Sequence, residues 1–518
     1  MMCRRPVKFV ADRIESFTSD IHARHHLVKA RIAASKSGEI LAFEMNDLTG
    51  IGPYSMFPRT SAIEGNQVVN LVGGPYKHTN YRAHLDVVFQ NKTPTCQYRG
   101  VGHPIACAVT EGLVDQAARA IGMDPLEFRK KNVIPDDAYP TTGASGIKLE
   151  VLSHEACLSK IEKMMDYPRL KAEIAQLREQ GIYRGIGFAA LIELTNPSAA
   201  FYGVGGARIA SQDGCTIRLD PSGAISVSVS VGEQGQGNDG IYRQISADAV
   251  GVDLEKVRLI MSDTDVTPYG GGTWASRGMV VGGEAALLAT QQLLAQLTQL
   301  ATAVMQVDAT QVQWRAGAFH HGTQSVEWQR LAQMLHFRLH ELPAGVQPQS
   351  FAIASASAVP SQPFMASNGI QASWLEIDAD TGFVRLLKHW VVEDCGRVLN
   401  PLLADEQLRG GVVQGIGAAL FEECRYDEQG QHLTSTLADY LVPMAGEMPD
   451  IVIAHVHTPV THTLLGAKGI GEAGTIGAGA AVANAVHDAL APWGVHIASQ
   501  PYTPEKILQA LGRVGPRE

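Results

Sequence analysis

Apolar and polar residues alternate strictly over Ile225-Ser226-Val227-Ser228-Val229-Ser230-Val231, the period-two pattern of a strand with one apolar face. Runs at 27–32, 40–45, 257–261, 374–377, 383–392 and 451–456 predict further strands, as does Arg5-Pro6-Val7-Lys8-Phe9-Val10 near the start. Helical spacing takes over elsewhere. Val109, Leu113, Ala117 and Ile121 share one face behind Pro104, which suits a first helical position, so a helix is predicted from Pro104 to about Gly122. A second begins at Asp124-Pro125-Leu126-Glu127, with Asp124 as N-cap and Glu127 completing a capping-box-like pattern. A connection at 133–150, rich in Pro, Thr, Gly and Asp, leads to a charged helix over roughly 155–179. Later helices are predicted at 239–250, 280–305, 406–422, 478–490 and 504–511, whereas 305–350 has weak periodicity. The expected architecture is α+β in two domains, about 1–135 and 155–518.

Composition narrows the function. A chain of 518 residues predicts two to four domains. With 45% hydrophobic and 18% charged residues, it can bury a large core and is not disordered. A net charge of −10 argues against a broad nucleic-acid interface, which needs clustered Lys and Arg. The seven cysteines, Cys3, Cys96, Cys107, Cys157, Cys215, Cys395 and Cys424, include no CxxC pair, so a zinc ribbon or an iron–sulfur cluster held by this chain alone is not expected. Their odd number and spread suit a reducing compartment. The first residues, from Met1 to Lys8, lack the apolar core of a signal peptide, and no apolar run is long enough to span a bilayer. A cytoplasmic protein is expected.

Glycine, at 52 residues, concentrates in loops that carry polar side chains. Gly235-Gln236-Gly237-Asn238-Asp239-Gly240 matches GxGxxG between a predicted strand and helix, with Asp253 and Glu255 downstream where a ribose-binding acid would stand. Against a nicotinamide site, the preceding strand alternates with serine, whereas a central parallel strand is apolar nearly throughout. Two readings remain: amides at a helix N-terminus that hold an anion, or a structural turn. Three more clusters, at 98–104, 269–278 and 466–474, contain no Gly-Lys-Ser/Thr. Four such loops together suit one large, heteroatom-rich ligand approached by backbone from several sides. Glu472, flanked by glycine, alanine and isoleucine, is a candidate general base with a raised pKa, or else the N-cap of a helix beginning near Ile476.

In order along the chain stand Arg5-Pro6-Val7-Lys8, Tyr98-Arg99-Gly100-Val101-Gly102, Asp124-Pro125-Leu126-Glu127-Phe128-Arg129 with Asn132, Gly235-Gln236-Gly237, Gly272-Thr273-Trp274-Ala275-Ser276-Arg277, Asp394-Cys395-Gly396-Arg397, Val413-Gln414-Gly415 and Gly466-Ala467-Lys468-Gly469-Ile470-Gly471-Glu472. This ordered set resembles the large, molybdenum-binding subunit of the xanthine dehydrogenase/aldehyde oxidase/carbon monoxide dehydrogenase family. The resemblance implies two molybdopterin-binding domains, a molybdenum–molybdopterin cofactor in pterin or cytosine dinucleotide form, and oxidative hydroxylation of an aldehyde or N-heterocycle with water as oxygen source. It implies that Glu472 takes the proton from the metal-bound hydroxyl. It implies cofactor contacts at Arg99, Gly100, Gly235, Gln236, Gly237, Ala275, Ser276, Gly278, Gln414 and Gly469, and a substrate pocket at Val101. Electrons would leave through 2Fe-2S and FAD centres on partner chains.

Three departures qualify the resemblance. Xanthine-type members carry an aromatic residue where Val101 stands and an arginine near Asn66 and Gln67, so a purine substrate is not expected. No cysteine occupies Gly100–Val101, where carbon monoxide dehydrogenases carry one. The family's preceding domain, with its glycine-phenylalanine-glycine loop, is not in this sequence, so a separate chain supplying it is expected; the alternative is a non-catalytic fragment or an assembly subunit.

Overall fold

The computed structural model describes residues 4–199, 201, 208–358 and 364–515; Cys3 and the leader positions Met1 to Cys3 lie outside them. The predicted first strand does not form. Residues 6–11 have no regular structure, and Val7, Phe9 and Val10 are exposed. Pro6 lacks an N–H, and no neighbouring strand takes the remaining ladder bonds.

Chain order then gives β1 (His26–Ala34), β2 (Ile40–Gly50), α1 (Ile63–Leu71), β3 (Asn80–Val88), α2 (His103–Ala120) and α3 (Pro125–Asn132). β1 and β2 pair antiparallel, β2 and β3 parallel. Asp124 caps α3 by accepting from the Leu126 and Glu127 amides, at 2.9 and 3.2 Å. The Glu127 carboxylate does not reach back to complete a box; it binds Lys130, one turn on, at 2.8 Å. The charged helix expected at 155–179 is two helices, α4 (His154–Met165) and α5 (Tyr167–Glu179), because Asp166 turns left-handed at φ 49° just before Pro168.

The rest of the chain builds two four-stranded sheets. Its elements are β4 (Tyr183–Thr195), β5 (Gln212–Leu219), β6 (Ile225–Val229), α6 (Asn238–Val250), β7 (Val257–Met261), α7 (Glu284–Met305), β8 (Phe351–Ser357), β9 (Met365–Ile377), β10 (Val384–Asp394), α8 (Pro401–Leu420), β11 (Asp450–His455) and α9 (Ala473–Ala489). One sheet has the order β8-β5-β6-β7 and the other β11-β10-β9-β4. Only β6/β7 and β10/β11 are parallel in these sheets, so neither is the parallel sheet of a nicotinamide fold. The 305–350 stretch holds a small three-stranded sheet and the helix Trp328–Phe337.

β4 organises the molecule. One set of its residues, Ile186, Phe188, Ala190 and Ile192, joins a core with Phe43, Val68, Leu126 and Phe128 from the first third of the chain. The alternate residues Ala189 and Leu191 join α8 and α9 in a second core. Gly187 packs so closely on α9 that a Cβ there would strike its backbone at Ala481 and Ala485. Arg129, fully buried, ties α2 and α3 to this strand through Glu111 at 2.8 Å, Asp115 at 3.2 Å and the Phe188 carbonyl at 3.1 Å. The polar end of β4, at Glu193, Thr195 and Asn196, points to the place where the glycine loops meet.

Candidate active site

A cavity of about 700 Å³ opens between these loops. Its wall includes Arg99, Val101, Gly235, Gln236, Ala275, Ser276, Gly278, Gln414, Gly469 and Glu472. Segments far apart in sequence are thus brought together. Gly100 and Gly237, also expected at the site, are not on the wall. Their φ angles are +90° and +82°, and Cβ atoms there would meet Pro104 at 2.9 Å and Leu403 at 2.7 Å, so glycine is needed at both turns.

The wall is held in strained backbone. Val101, Ala275 and Ser276 adopt φ of 50°, 47° and 51°, a region L-residues rarely enter. Such conformations persist only where surrounding bonds impose them. At Val101 the restraint is Arg24, whose Nε donates to the Val101 carbonyl at 3.2 Å and whose Nη2 donates to the Arg99 carbonyl. His103 adds a bridge: its Nδ1 meets the Gly100 carbonyl at 2.7 Å, and its Nε2 accepts from the Leu194 amide at 2.9 Å. Burial pushes that imidazole down to about 4, so it stays neutral and can do both. At the other loop the Asn196 amide donates to the Ala275 carbonyl at 3.1 Å.

Arg99 crosses the cavity floor. Its guanidinium donates to the Gly471 carbonyl at 2.7 Å, to Gln414 Oε1 at 2.9 Å and to the Gln407 carbonyl at 2.9 Å. Glu472 occupies the N-cap position of α9, but its side chain makes no capping bond. It is part-buried on the cavity wall. Loss of solvent raises its pKa; the Gly100 amide, Arg99, Arg24 and Arg59 oppose the rise.

The GxGxxG loop resolves differently from its anion-binding reading. The chain's own Glu233 fills the N-terminus of α6, accepting from the Gly235, Gly237 and Asp239 amides at 2.7, 3.2 and 3.0 Å. Those donors hold its carboxyl below the ordinary range despite some burial. Gly235 itself, at φ +93°, has open space on its side-chain face.

Two regions of the chain, residues 1–133 and 160–449, match the molybdopterin cofactor-binding domain. The chain belongs to the molybdopterin cofactor-binding domain family. Its motifs and relatives place it among the molybdenum-binding large subunits of the xanthine dehydrogenase, aldehyde oxidase and carbon monoxide dehydrogenase type. It is 32% identical to the nicotine 6-hydroxylase large subunit of Paenarthrobacter nicotinovorans over 98% of this chain and 62% of that one. It is 29% identical to the carbon monoxide dehydrogenase large chain of Hydrogenophaga pseudoflava over 98% of this chain and 63% of that one. Among solved structures it superimposes on quinoline 2-oxidoreductase from Pseudomonas putida 86 with a TM-score of 0.91 and 32% identity, covering 97% of this chain and 64% of that one. The chain therefore spans just over three-fifths of the length of these relatives.

The donor set fits a molybdopterin. Buried Arg277 lines the cavity with Nε and Nη2 unpartnered, while its remaining nitrogen holds Asp213. Thr195 Oγ1 and Asn196 Oδ1, at the end of β4, are also buried and unpartnered. The orphaned guanidinium nitrogens on the wall suit a ligand with phosphate oxygens. Among the described residues no cluster of three or more His, Cys, Asp or Glu side chains could hold a metal. No helix of the described residues is long and apolar enough to cross a membrane.

Sequence reasoning missed several residues. Arg24 and Gln407 act through backbone carbonyls 75 and 64 positions away, which leaves no local signature. Arg59 and Trp274 stack at 5.6 Å on the cavity wall. Glu193 carries a legible signal: it is the one acid in the apolar run Ile186–Leu194.

Proposed function

We propose that the chain is the molybdenum-binding subunit of a hydroxylase that oxidises an N-heterocycle or aldehyde, taking oxygen from water, with Glu472 as the general base. The observation that carries this reading is a carboxyl of raised pKa on the wall of a cavity whose other walls are glycine loops, Arg99, Gln236 and Gln414. When bound, the cofactor would supply an activated oxygen and accept two electrons.

The chain's own groups would do the rest. Backbone amides of the Ala275–Gly278 loop, with Gly235 and Gly469 close by, would hold pterin and phosphate oxygens, in pterin or cytosine dinucleotide form. Gln236 and Gln414 would read the pterin edge. Arg99 would fix the loop that carries Glu472. Val101 packs with Ile63 and Trp274, and with Phe201 and Ile209 beside them, as an apolar wall for the substrate. A flat apolar wall suits a planar ring, and the names of the quinoline and nicotine relatives support N-heterocycles over aldehydes. Electrons would pass to iron–sulfur and flavin centres on partner chains, in the cytoplasm. The two molybdopterin-binding domains would divide near 135–155.

The test is expression with the neighbouring gene products in a host that makes the cofactor. Molybdenum near one per complex, and product oxygen drawn from isotopically labelled water, are expected. Glu472→Gln should keep the metal and lose turnover by about 10²–10⁴-fold, the range of general-base catalysis. A complex that binds no molybdenum in any combination overturns the proposal.

A further inference from the structure

Behind Glu472 stands a second buried carboxyl that the proposed reaction does not use. Glu193, at the end of β4, is fully buried. Ser276 connects it to the cavity: the hydroxyl donates to Glu193 Oε1, while the serine itself lines the wall. Glu193 Oε2 accepts from the Ser367 hydroxyl at 3.5 Å. Ser276 is wedged against the loop that carries Glu472. A Cβ on Gly471 would lie 2.9 Å from Ser276 Oγ, and one on Gly469 would lie 2.7 Å from Ser276 Cβ and 2.7 Å from Thr195 Cβ. Two carboxyls therefore flank one small side chain, one open to the cavity and one sealed beneath it.

The charges around the two are unequal. Glu472 has the Gly100 amide and Arg99, Arg24 and Arg59 in its favour. Glu193 has the Ser276 hydroxyl, the Glu472 amide and a share of Arg99, and it faces two other acids, Glu472 and, from β10, Glu393. Glu393 is buried with both oxygens unpartnered, beside Asp394 and Lys468, and burial pushes its carboxyl well above the ordinary range. Two neighbouring carboxyls in low dielectric do not both ionise at neutral pH; the better-supported one keeps the charge. Desolvation first, then repulsion from Glu472, raises the Glu193 pKa well above the carboxyl range.

We propose that Glu193 is a positioning residue for Glu472: it holds the single proton of the pair beneath Ser276, leaving Glu472 at the cavity as an unprotonated base. This rests on the assignment of Glu472 as base. The proton balance is simple. At neutral pH the pair carries one proton and one negative charge; a proton taken from the substrate side enters at Glu472 and makes the pair fully protonated, so it must leave before the next turnover.

The first readout needs no cofactor. Infrared difference spectra of the full chain, wild type minus Glu193→Gln, should show at neutral pH the carbonyl band of a protonated, buried carboxylic acid. The band should disappear as pH rises above neutrality, and the same band should survive in Glu393→Gln. Ser276→Ala, which removes a donor to the charged form, should move its midpoint upward and gives a second variant if Glu193→Gln does not fold. A difference spectrum holding only carboxylate bands at neutral pH, or a midpoint that falls in Ser276→Ala, overturns the inference. In the loaded complex, the kcat/KM profile should lose an alkaline step in Glu193→Gln; a step that persists also overturns it. If instead Glu472→Gln turns over normally while the infrared band behaves as expected, the base assignment fails and the buried proton stands.

Discussion

Arg99 Nε donates to the Gly471 carbonyl at 2.7 Å, one residue before Glu472 and 372 positions away along the chain. The same carbonyl accepts from Gln407 Nε2 at 3.0 Å, so the peptide that presents Glu472 is fixed from two sides. Arg99→Lys should not rescue this. Lysine offers a point charge where the guanidinium makes three separated bonds. We expect Arg99→Lys and Arg99→Ala each to lose about 2–4 kcal/mol, on the scale of charge-assisted bonds, and to retain less molybdenum. Urea unfolding and metal analysis on the same preparations check it.

The His26 imidazole bridges Asp47 at 2.9 Å and Glu64 at 3.0 Å, beside β2 and α1. Burial works against its charge, but the two carboxylates prevail and push it up to about 9. A folded pKa above the unfolded value near 6.5 means that unfolding releases the proton more readily. The stabilisation is fully present below about pH 6.5 and is lost as pH rises through about 9. Its ceiling is about 3 kcal/mol at 1.36 kcal/mol per pH unit. The urea midpoint of the wild type should therefore fall across that window, and His26→Gln should be less stable at low pH with a flatter profile. An equally steep decline in the variant would place the titration elsewhere.

Arg129 is buried with Glu111 and Asp115, so removing it leaves Glu111 with only a neutral partner at Tyr76 and Asp115 with the part-exposed Arg119. Arg129→Met should cost about 3–5 kcal/mol, the range for breaking a buried ion pair from one side. Combining it with Glu111→Gln and Asp115→Asn should recover part of the loss, because the one charge then left without its pair, Arg119, is part-exposed to water. A double- and triple-variant series in urea reads this directly. A triple variant no more stable than Arg129→Met would show that the packing of the long side chain, rather than its charge, is what matters.

Much of the fold was legible because periodicity reports local burial. The strand at 257–261 and the helix at 504–511 came out with near-correct limits. β4 was missed for the opposite reason: buried on both faces, it shows no alternation. The first strand was wrongly expected because an apolar pattern says nothing about whether a partner strand exists, and Val7, Phe9 and Val10 have none. The site was legible where side chains sit in glycine motifs, as at Arg99, Gln236, Ser276 and Glu472. It was not legible at Arg24 or Gln407, which act on carbonyls contributed by distant segments. Glycine identity does not separate roles either: Gly100 and Gly237 turn tightly against Pro104 and Leu403, whereas Gly235 and Gly469 line the cavity.

That geometry makes two glycine substitutions diverge. At Gly469 an added Cβ would meet the Ser276 carbonyl oxygen, Ser276 Cβ and Thr195 Cβ. Backbone on one side and a wedged strand end on the other cannot yield, so Gly469→Ala should cost more than the usual 1–3 kcal/mol of overpacking and disturb the seat of Ser276. At Gly235 there is open space, and Gly235→Ala should cost only the roughly 1–2 kcal/mol of a left-handed L-residue. Thermal unfolding separates the two, and molybdenum retention should follow the same order.

Val101 carries the remaining tension between backbone and side chain. A β-branched residue at φ 50° is strained, by about 1–2 kcal/mol, yet the residue is only 6% exposed and packs on Ile63 and Trp274. Val101→Gly would release the strain and lose a similar amount of apolar burial, about 1.5–2 kcal/mol for a valine. The two terms nearly cancel, so the stability change should stay within about 1 kcal/mol. The cavity, by contrast, would widen on the side we assign to substrate. For a planar heterocycle held against that wall, KM should rise several-fold with kcat little changed, the signature of lost uniform binding. A fall in kcat with KM unchanged would instead mean that Val101 shapes the Arg99–Gly100 turn and, through it, the presentation of Glu472.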